Sequence, residues 1–272
     1  MTRQAPQVLG DDSRRFWQLT WTLAVTEWKL KFYGSFLGYL WTLARPFAFF
    51  GVIYVVFTQI ADIGGDIPNY GVYVLLSMVL FQFFGEATGA AVTSLVAREN
   101  LLRKMRFPRL VIPLSVVVTA LLNLGATLLA VFVFAIGSGI TPAWSWLELP
   151  VLIVLLGILA TGAGMLLATL YVSYRDVLPV WEVATQILFY ASPILYVATM
   201  VPDDYERAYM LNPISTVLTQ ARHAVIDPGA PSAAAVIGGA GWLLIPLAVV
   251  LGVFAVGAWV FSRAAPRIAE NL

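Results

Sequence analysis

The chain has 272 residues, of which 60% are hydrophobic and only 11% are charged, and its mean hydropathy is +0.84. Soluble domains carry roughly a quarter of their residues as charged side chains, so this composition indicates an integral membrane protein. The absence of Cys excludes disulfides and thiolate metal sites, and a single His excludes a multi-histidine metal site. The net charge of +1 says little, because charges on opposite sides of a membrane never meet.

The first 35 residues are too polar and too rich in Trp for a cleaved signal peptide. From Arg14 to Phe32 they predict an amphipathic helix, which Gly34 is expected to end. Three Trp residues share one helical face with an Ala, namely Trp17, Trp21, Ala24 and Trp28, and polar residues follow another face, namely Arg14, Gln18, Thr22, Thr26 and Lys29. This pattern favours a helix in the lipid headgroup layer, and the alternative is a soluble helix packed on another protein.

The remainder contains six apolar stretches, each long enough to cross a bilayer as a helix. They lie near Phe36–Ile60, Gly71–Val96, Leu110–Ile136, Leu149–Val172, Val180–Met200 and Ala233–Phe261. We therefore expect one all-α transmembrane domain over residues 1–272. It would consist of a cytoplasmic interface segment (1–35), a six-helix bundle (36–261) and a cytoplasmic tail (262–272), with Pro266 stopping the sixth helix.

The basic residues predict the orientation of this bundle. Thirteen of the sixteen Lys and Arg residues lie in four segments that six crossings would put on one side. The opposite loops contain only Arg207 and Arg222, and Arg45 lies within the first span. Lys- and Arg-rich loops stay in the cytoplasm, so both termini are expected there.

The loop Ala97–Arg109 is more than a basic anchor. Glu99 and Arg103 form an i,i+4 acid–base pair that favours a short helix, and Pro108 would end it. Several apolar side chains accompany the charges. We expect a cytoplasmic coupling helix that docks on a partner protein.

The segment Val201–Ser232 predicts short helices outside the membrane, between spans five and six. Asn212 and Pro213 resemble a helix N-cap followed by proline at the first helical position. Apolar residues then follow helical spacing, namely Ile214, Val217, Leu218, Ala221 and Val225. His223 lies on the polar face, where a solvated side chain is expected.

Two ionisable residues, Arg45 and Glu86, lie inside predicted spans. A charged group at such depth costs about 2.5–3.5 kcal/mol on insertion scales, so each should face protein or water. A structural pair between them is the favoured interpretation, and a place in a translocation path or a proton relay is the alternative.

Aromatic residues inside the spans are candidates for lining a pore. Their faces suit the C–H faces of sugar rings without fixing one register, as a sliding polysaccharide would need. The alternative is packing against lipid, with aromatic belts at the two interfaces. The candidates are Phe47, Phe50, Tyr54, Phe57, Phe81, Phe84, Tyr190 and Tyr196.

The sequence contains no G-x-x-x-x-G-K-[ST] motif and no nucleophile motif. We therefore expect a membrane conduit whose energy comes from another protein.

Several motifs, in order, resemble ABC-2-type permeases that export polysaccharides and polyol phosphates. They are Tyr33-Gly34-Ser35 with Gly38, Trp41 and Pro46; Phe107-Pro108 with Pro113; Tyr174-Arg175-Asp176; Ser192-Pro193-Ile194-Leu195-Tyr196; and Asn212-Pro213. The resemblance runs from about Arg14 to Ala269.

The resemblance implies a homodimer in a bacterial inner membrane with two separate ATPase subunits, which would bind ATP and Mg while this chain binds no cofactor. The substrate would be a lipid-linked glycan such as O-antigen, teichoic acid or mycobacterial galactan, with membrane lipids as neighbours and no nucleic acid as a partner. The expected ATPase-coupling residues are Glu99, Leu102, Arg103, Met105, Arg106 and Phe107. The expected contacts to the lipid-linked pyrophosphate are Arg14, Arg15, Lys29 and Lys31.

Two alternatives stay open. One is a drug or small-lipid exporter subunit or a secondary carrier. The other is a membrane-embedded enzyme that acts on a lipid-linked sugar, for which Glu86 alone is a poor catalytic candidate.

Overall fold

The computed structural model describes residues 13–32, 36–60, 67–99 and 108–271, and it describes their side chains except at positions 32, 36–43, 45 and 266–271. Within these ranges the regular structure is helical, without a β-strand. The helices are α1 (Ser13–Phe32), α2 (Phe36–Val55), α3 (Tyr70–Ala97), α4 (Val111–Gly137), α5 (Glu148–Ser173), α6 (Val177–Tyr190), α7 (Asp203–Met210), α8 (Pro213–Val225), α9 (Ala233–Ile237) and α10 (Leu244–Asn271).

Four helical segments of the described chain are long and apolar enough to cross a membrane. They are Tyr70–Ala97, Val111–Gly137, Trp144–Ser173 and Ala240–Ala265. The first and fifth predicted spans correspond to shorter apolar helices, Pro46–Ile60 and Val177–Tyr190. At 1.5 Å per residue α6 is only about 21 Å long, less than the hydrocarbon core of a bilayer. The predicted count of six spans is therefore supported by helix length in four cases.

Two predicted boundaries near the C-terminus are wrong. The sixth span does not begin at Ala233, because α9 ends at Ile237 and the chain then turns through Gly238 and Gly239 at φ 95° and 130°. These left-handed values favour glycine. At the other end, α10 continues to Asn271, beyond Pro266. A proline removes one helical hydrogen bond and bends a helix, and here, as at Pro46 in α2, the helix continues through it.

Helix α3 lies at the centre of the bundle. Its apolar window is 72% buried, against 17% for the window of α10. Helices α4 and α5 flank it, α1 packs on α4, and α10 packs on α5. Half of the largest fully buried side chains come from α3, including Tyr73, Leu75, Leu76, Leu80 and Phe83. Helix α3 is therefore the helix through which most of the others are in contact.

The contact between α5 and α10 is made backbone to backbone. A Cβ atom added at Gly162 would lie 2.5 Å from the Cα of Phe254, and one added at Gly257 would overlap the carbonyl of Gly162. Small residues that let helix backbones approach closely are a common basis for packing in membranes, where helices gain little from the hydrophobic effect. Helices α5 and α10 thus form a rigid pair.

Candidate functional site

Helix α1 packs on α4 through a narrow face of small and apolar side chains. Phe16, Thr20 and Ala24 are buried there. The Thr20 hydroxyl donates to the Phe16 carbonyl at 2.9 Å, so its burial leaves no unsatisfied donor. The Thr119 hydroxyl of α4 lies 3.3 Å from the Ala24 carbonyl and 2.8 Å from the Ser115 carbonyl of its own helix. The predicted interface helix is therefore attached to the bundle along this face.

The outer faces of α1 agree with the sequence pattern except at Trp28, which is partly buried, and at Ala24. Trp17 and Trp21 are 59% and 56% exposed, and the predicted polar face is exposed throughout. Ala24, which the spacing placed with the indoles, faces α4 instead and is fully buried. A helix with a Trp edge beside its protein contact and a polar face opposite is suited to the headgroup layer.

Two ion pairs connect α1 to α3. The Arg98 guanidinium donates to the Glu27 carboxylate, and the Lys31 ammonium lies 2.7 Å from Glu86 Oε1. Glu86 Oε1 also accepts from Asn123 Nδ2 at 2.5 Å, which ties α4 into the same cluster. We call these five residues the polar cluster. The expected partner of Glu86, Arg45, has a side chain outside the described residues.

The four charged residues of the polar cluster border an open cavity of about 490 Å³ between α1, α3 and α4. Polar side chains complete its wall, namely Thr93, Ser94 and Thr119, together with Ala and Val residues. Two carboxylates and two cations balance in charge, so the cavity offers both signs of charge rather than a pure anion site. Such a cavity can hold water or a polar headgroup.

The predicted site residues are placed as follows. Arg14, Arg15, Lys29 and Lys31 are all exposed on α1, and Lys31 lies in the ion pair with Glu86. Glu99 lies just beyond the end of α3 and is partly exposed. The other five coupling residues lie outside the described residues, namely Leu102, Arg103, Met105, Arg106 and Phe107.

The pore candidates divide into buried and exposed residues. Phe81 and Phe84 are 5% and 3% exposed, and they make edge contacts with Phe189 and Trp181 of α6. Phe50 is buried against Phe134, and Phe47 and Phe57 are partly buried. Tyr54 and Tyr190, at 40% and 62%, are exposed, and Tyr196 is intermediate.

The turn at residues 191–196 contacts two tyrosines that the sequence did not single out as functional. Tyr70 Oη donates to the Leu195 carbonyl at 2.6 Å. Tyr73 Oη lies within hydrogen-bond distance of the Tyr196 carbonyl, at 2.6 Å, and of the Pro193 carbonyl. The only sequence signal was two tyrosines, three residues apart, at the start of the second predicted span.

Helix α8 supports the same turn and confirms its predicted cap. Asn212 Oδ1 accepts from the Ile214 backbone N–H at 3.0 Å, and its Nδ2 donates to Ser192 Oγ at 3.1 Å. All five predicted apolar residues of this helix are buried. His223 is not simply solvated, because its Nδ1 contacts the Ala230 carbonyl at 2.8 Å.

Tyr209 of α7 completes this network. Its hydroxyl donates to the Tyr196 hydroxyl at 3.1 Å, and the latter donates to the Tyr190 carbonyl at 3.0 Å. Burial, followed by the hydrogen bond to Tyr196, raises the pKa of Tyr209. The phenol therefore stays protonated and continues to donate.

Comparison with known proteins identifies the family. A family model described as ABC-2 type transporter matches residues 18–226. The chain belongs to this family. It is 30% identical over 191 residues to an O-antigen export system permease protein RfbA of Klebsiella pneumoniae, covering 70% of this chain and 73% of the relative. It is also 30% identical over 200 residues to the protein of that name from Myxococcus xanthus, covering 73% and 76%.

The match includes most of α1, α2 through α8 and the turn at residues 191–196. This confirms the resemblance to ABC-2-type permeases that the short sequence motifs indicated. ABC-2 permeases are transporter membrane subunits, which accords with a multi-pass membrane protein rather than an enzyme.

Proposed function

We propose that the chain is the membrane-spanning permease subunit of an ABC exporter that moves a lipid-linked polysaccharide across the bacterial cytoplasmic membrane. The observation that carries this proposal is the similarity to two O-antigen export permeases over some 70% of the chain. The chain would work as a homodimer with two separate ATPase subunits, which bind ATP and Mg. A polysaccharide exporter fits the aromatic content of the spans, since sugar rings stack on Tyr and Phe without a fixed register.

In this proposal the two short apolar helices complete a six-span subunit with both termini in the cytoplasm. The support is the sidedness of the Lys and Arg residues, thirteen of which lie on the side of the termini. Helix α6, although short, is extended at its external end by the turn that Tyr70 and Tyr73 hold. Exposed Tyr54 and Tyr190 are our strongest candidates for contact with the glycan.

The ATPase would dock where α3 ends. Residues 100–107 join Glu99 to Pro108 in the chain, and Arg98 beside them is paired with Glu27 of α1. A force applied to this segment would act on α1 and α3 together and on α4, which begins at Val111. The candidates for contact with the lipid-linked pyrophosphate are the four exposed cations of α1, namely Arg14, Arg15, Lys29 and Lys31.

The experiment is transport in proteoliposomes that contain this chain with and without its ATPase subunit. Export of a lipid-linked glycan should require both subunits and ATP. The variant Arg103→Glu/Arg106→Glu should lose co-purification with the ATPase, whereas the tail variant Arg263→Glu/Arg267→Glu should retain it. Export without any ATPase would instead favour a secondary carrier, and intact export by the loop variant would contradict the docking assignment.

A further inference from the structure

Helix α6 is the most loosely packed helix in the apolar layer. None of its residues is buried, although it lies between α3 and α5. Along one side it presents a continuous exposed apolar stripe, formed by Val180, Val183, Ile187 and Tyr190. Tight packing therefore does not hold α6 in place.

Side chains of α6 pack on both α3 and α5, but its hydrogen bond and its ring contacts to another helix go to α3. Trp181 Nε1 donates to Thr88 Oγ1 at 3.1 Å, and the Trp181 ring meets Phe84 edge-on. Further along α6, the ring of Phe189 meets the ring of Phe81 in α3 edge-on. These contacts attach both halves of α6 to one helix.

The turn that follows α6 is attached to α3 more firmly still. Ser192 and Ile194 are completely buried, and the hydroxyls of Tyr70 and Tyr73 engage the carbonyls of residues 193, 195 and 196. Carbonyls at a turn have no helical partner, so losing their donors in a buried site is costly. We call this set of contacts the tyrosine clamp.

The ring of Tyr73 is also contacted by helix α8. The Arg222 guanidinium of α8 lies over it, 5.5 Å from the ring centroid. The other end of that guanidinium lies 3.9 Å from the carboxylate of Asp227. Tyr73 is thus contacted at both ends, with Arg222 over its ring and the turn carbonyls at its hydroxyl.

We propose that Tyr70 and Tyr73 are positioning residues that make α6 and the turn at residues 191–196 move with α3. The alternative carrier is the rigid α5–α10 pair, to which α6 makes no comparable polar contact among the described residues. The consequence for transport rests on the proposed function: a displacement at the cytoplasmic end of α3 would reach the external turn directly. Tyr70 and Tyr73 would then couple a cytoplasmic event to the external end of the passage.

The test is a distance measurement between spin labels in the full chain, which has no native Cys. Labels at Pro68→Cys and Ala191→Cys, both exposed, report on the clamp. Labels at Val151→Cys and Leu244→Cys report on the α5–α10 pair. Labelled chains are diluted with unlabelled copies in lipid nanodiscs, so that only distances within one subunit are recorded.

The first pair should give one narrow distance distribution, which Tyr70→Phe/Tyr73→Phe should broaden. Each single variant, which keeps its ring and packing, should broaden it less. Tyr205→Phe, a matched change at an exposed tyrosine, should have no effect. Broadening confined to the first pair supports the proposal. An unchanged first pair in the double variant, or equal broadening of both pairs, overturns it.

This readout needs neither an ATPase nor a glycan, so failure of the proposed function would leave it intact. In the reconstituted exporter, the double variant should still hydrolyse ATP but export less glycan for each ATP consumed. Unchanged export per ATP, with the first label pair broadened, would refute the link to transport.

Discussion

Helices α10 and α6 both expose broad apolar faces, yet they are attached to the bundle in opposite ways. Helix α10 meets α5 backbone to backbone at Gly162 and Gly257. Helix α6 is held to α3 by an indole hydrogen bond, ring contacts and the tyrosine clamp. A backbone contact cannot slide without a clash, whereas side-chain contacts let a helix follow its neighbour. Two helices with similar exposure can therefore differ in mobility, and the type of contact that each makes with its neighbour is the better guide.

The largest effect is expected from enlarging a glycine at the close contact between α5 and α10. Gly162→Ala places a Cβ 2.5 Å from the Cα of Phe254, so the helices must separate. Overpacking of this kind costs about 1–3 kcal/mol, and more where backbone must shift. Thermal unfolding in detergent, followed by gel filtration, should show a lower midpoint.

Gly157→Ala on the same helix is the matched control, since an added Cβ there meets nothing within 4 Å. Ala is favoured over Gly in a helix interior by roughly 0.5–1 kcal/mol, so this variant should be neutral or more stable. Equal stability of the two variants would show that the α5–α10 contact is not rigid.

A smaller effect is expected from the polar cluster, which attaches α1 by a third kind of contact. Glu86→Gln removes the charge that Lys31 and Asn123 share. Hydrogen bonds to a charged group are worth about 1.5–3 kcal/mol, and partial exposure of both partners puts this site at the lower end. Hydrogen exchange should become faster in the last turns of α1.

Glu182→Gln on the exposed side of α6 is the control for that change and should leave α1 unaffected. If exchange in α1 is the same in both variants, the polar cluster does not hold the helix.

The smallest effect is expected from the pair Glu27–Arg98. Its side chains are 27% and 15% exposed and border an open cavity, so about 0.5–1 kcal/mol is a reasonable value. Glu27→Arg and Arg98→Glu should each speed exchange in α1, and the swapped double variant should restore protection. High salt should shrink the difference, because it screens exposed charges. Additive effects of the two changes would rule out a direct interaction.

Local features of this fold were predictable from the sequence. Asn212 and its buried stripe follow from capping and helical spacing, which involve neighbours in the chain. The exposed face of α1 follows from the same periodicity. Ala24 was misplaced because it lies at the border between the Trp edge and the buried face, and a small residue is compatible with either.

Contacts between distant segments were not predictable. Tyr70 and Leu195 are separated by 125 residues, and the accepting group is a backbone carbonyl, which carries no residue-type signature. The partner of Glu86 was expected on α2, but among the described side chains it is Lys31 at the end of α1. The pair Gly238–Gly239 did signal the break before α10, yet the apolar run across it suggested a single span.

The docking assignment, and the role of the clamp in transport, depend on which side of the membrane each end of α3 faces. The most direct measurement is labelling of single cysteines in this Cys-free chain with a membrane-impermeant maleimide. Arg103→Cys should react only in inverted vesicles and Asp204→Cys only in intact cells. Reaction of Arg103→Cys in intact cells would put the basic loop outside and contradict an ATPase docking at the end of α3.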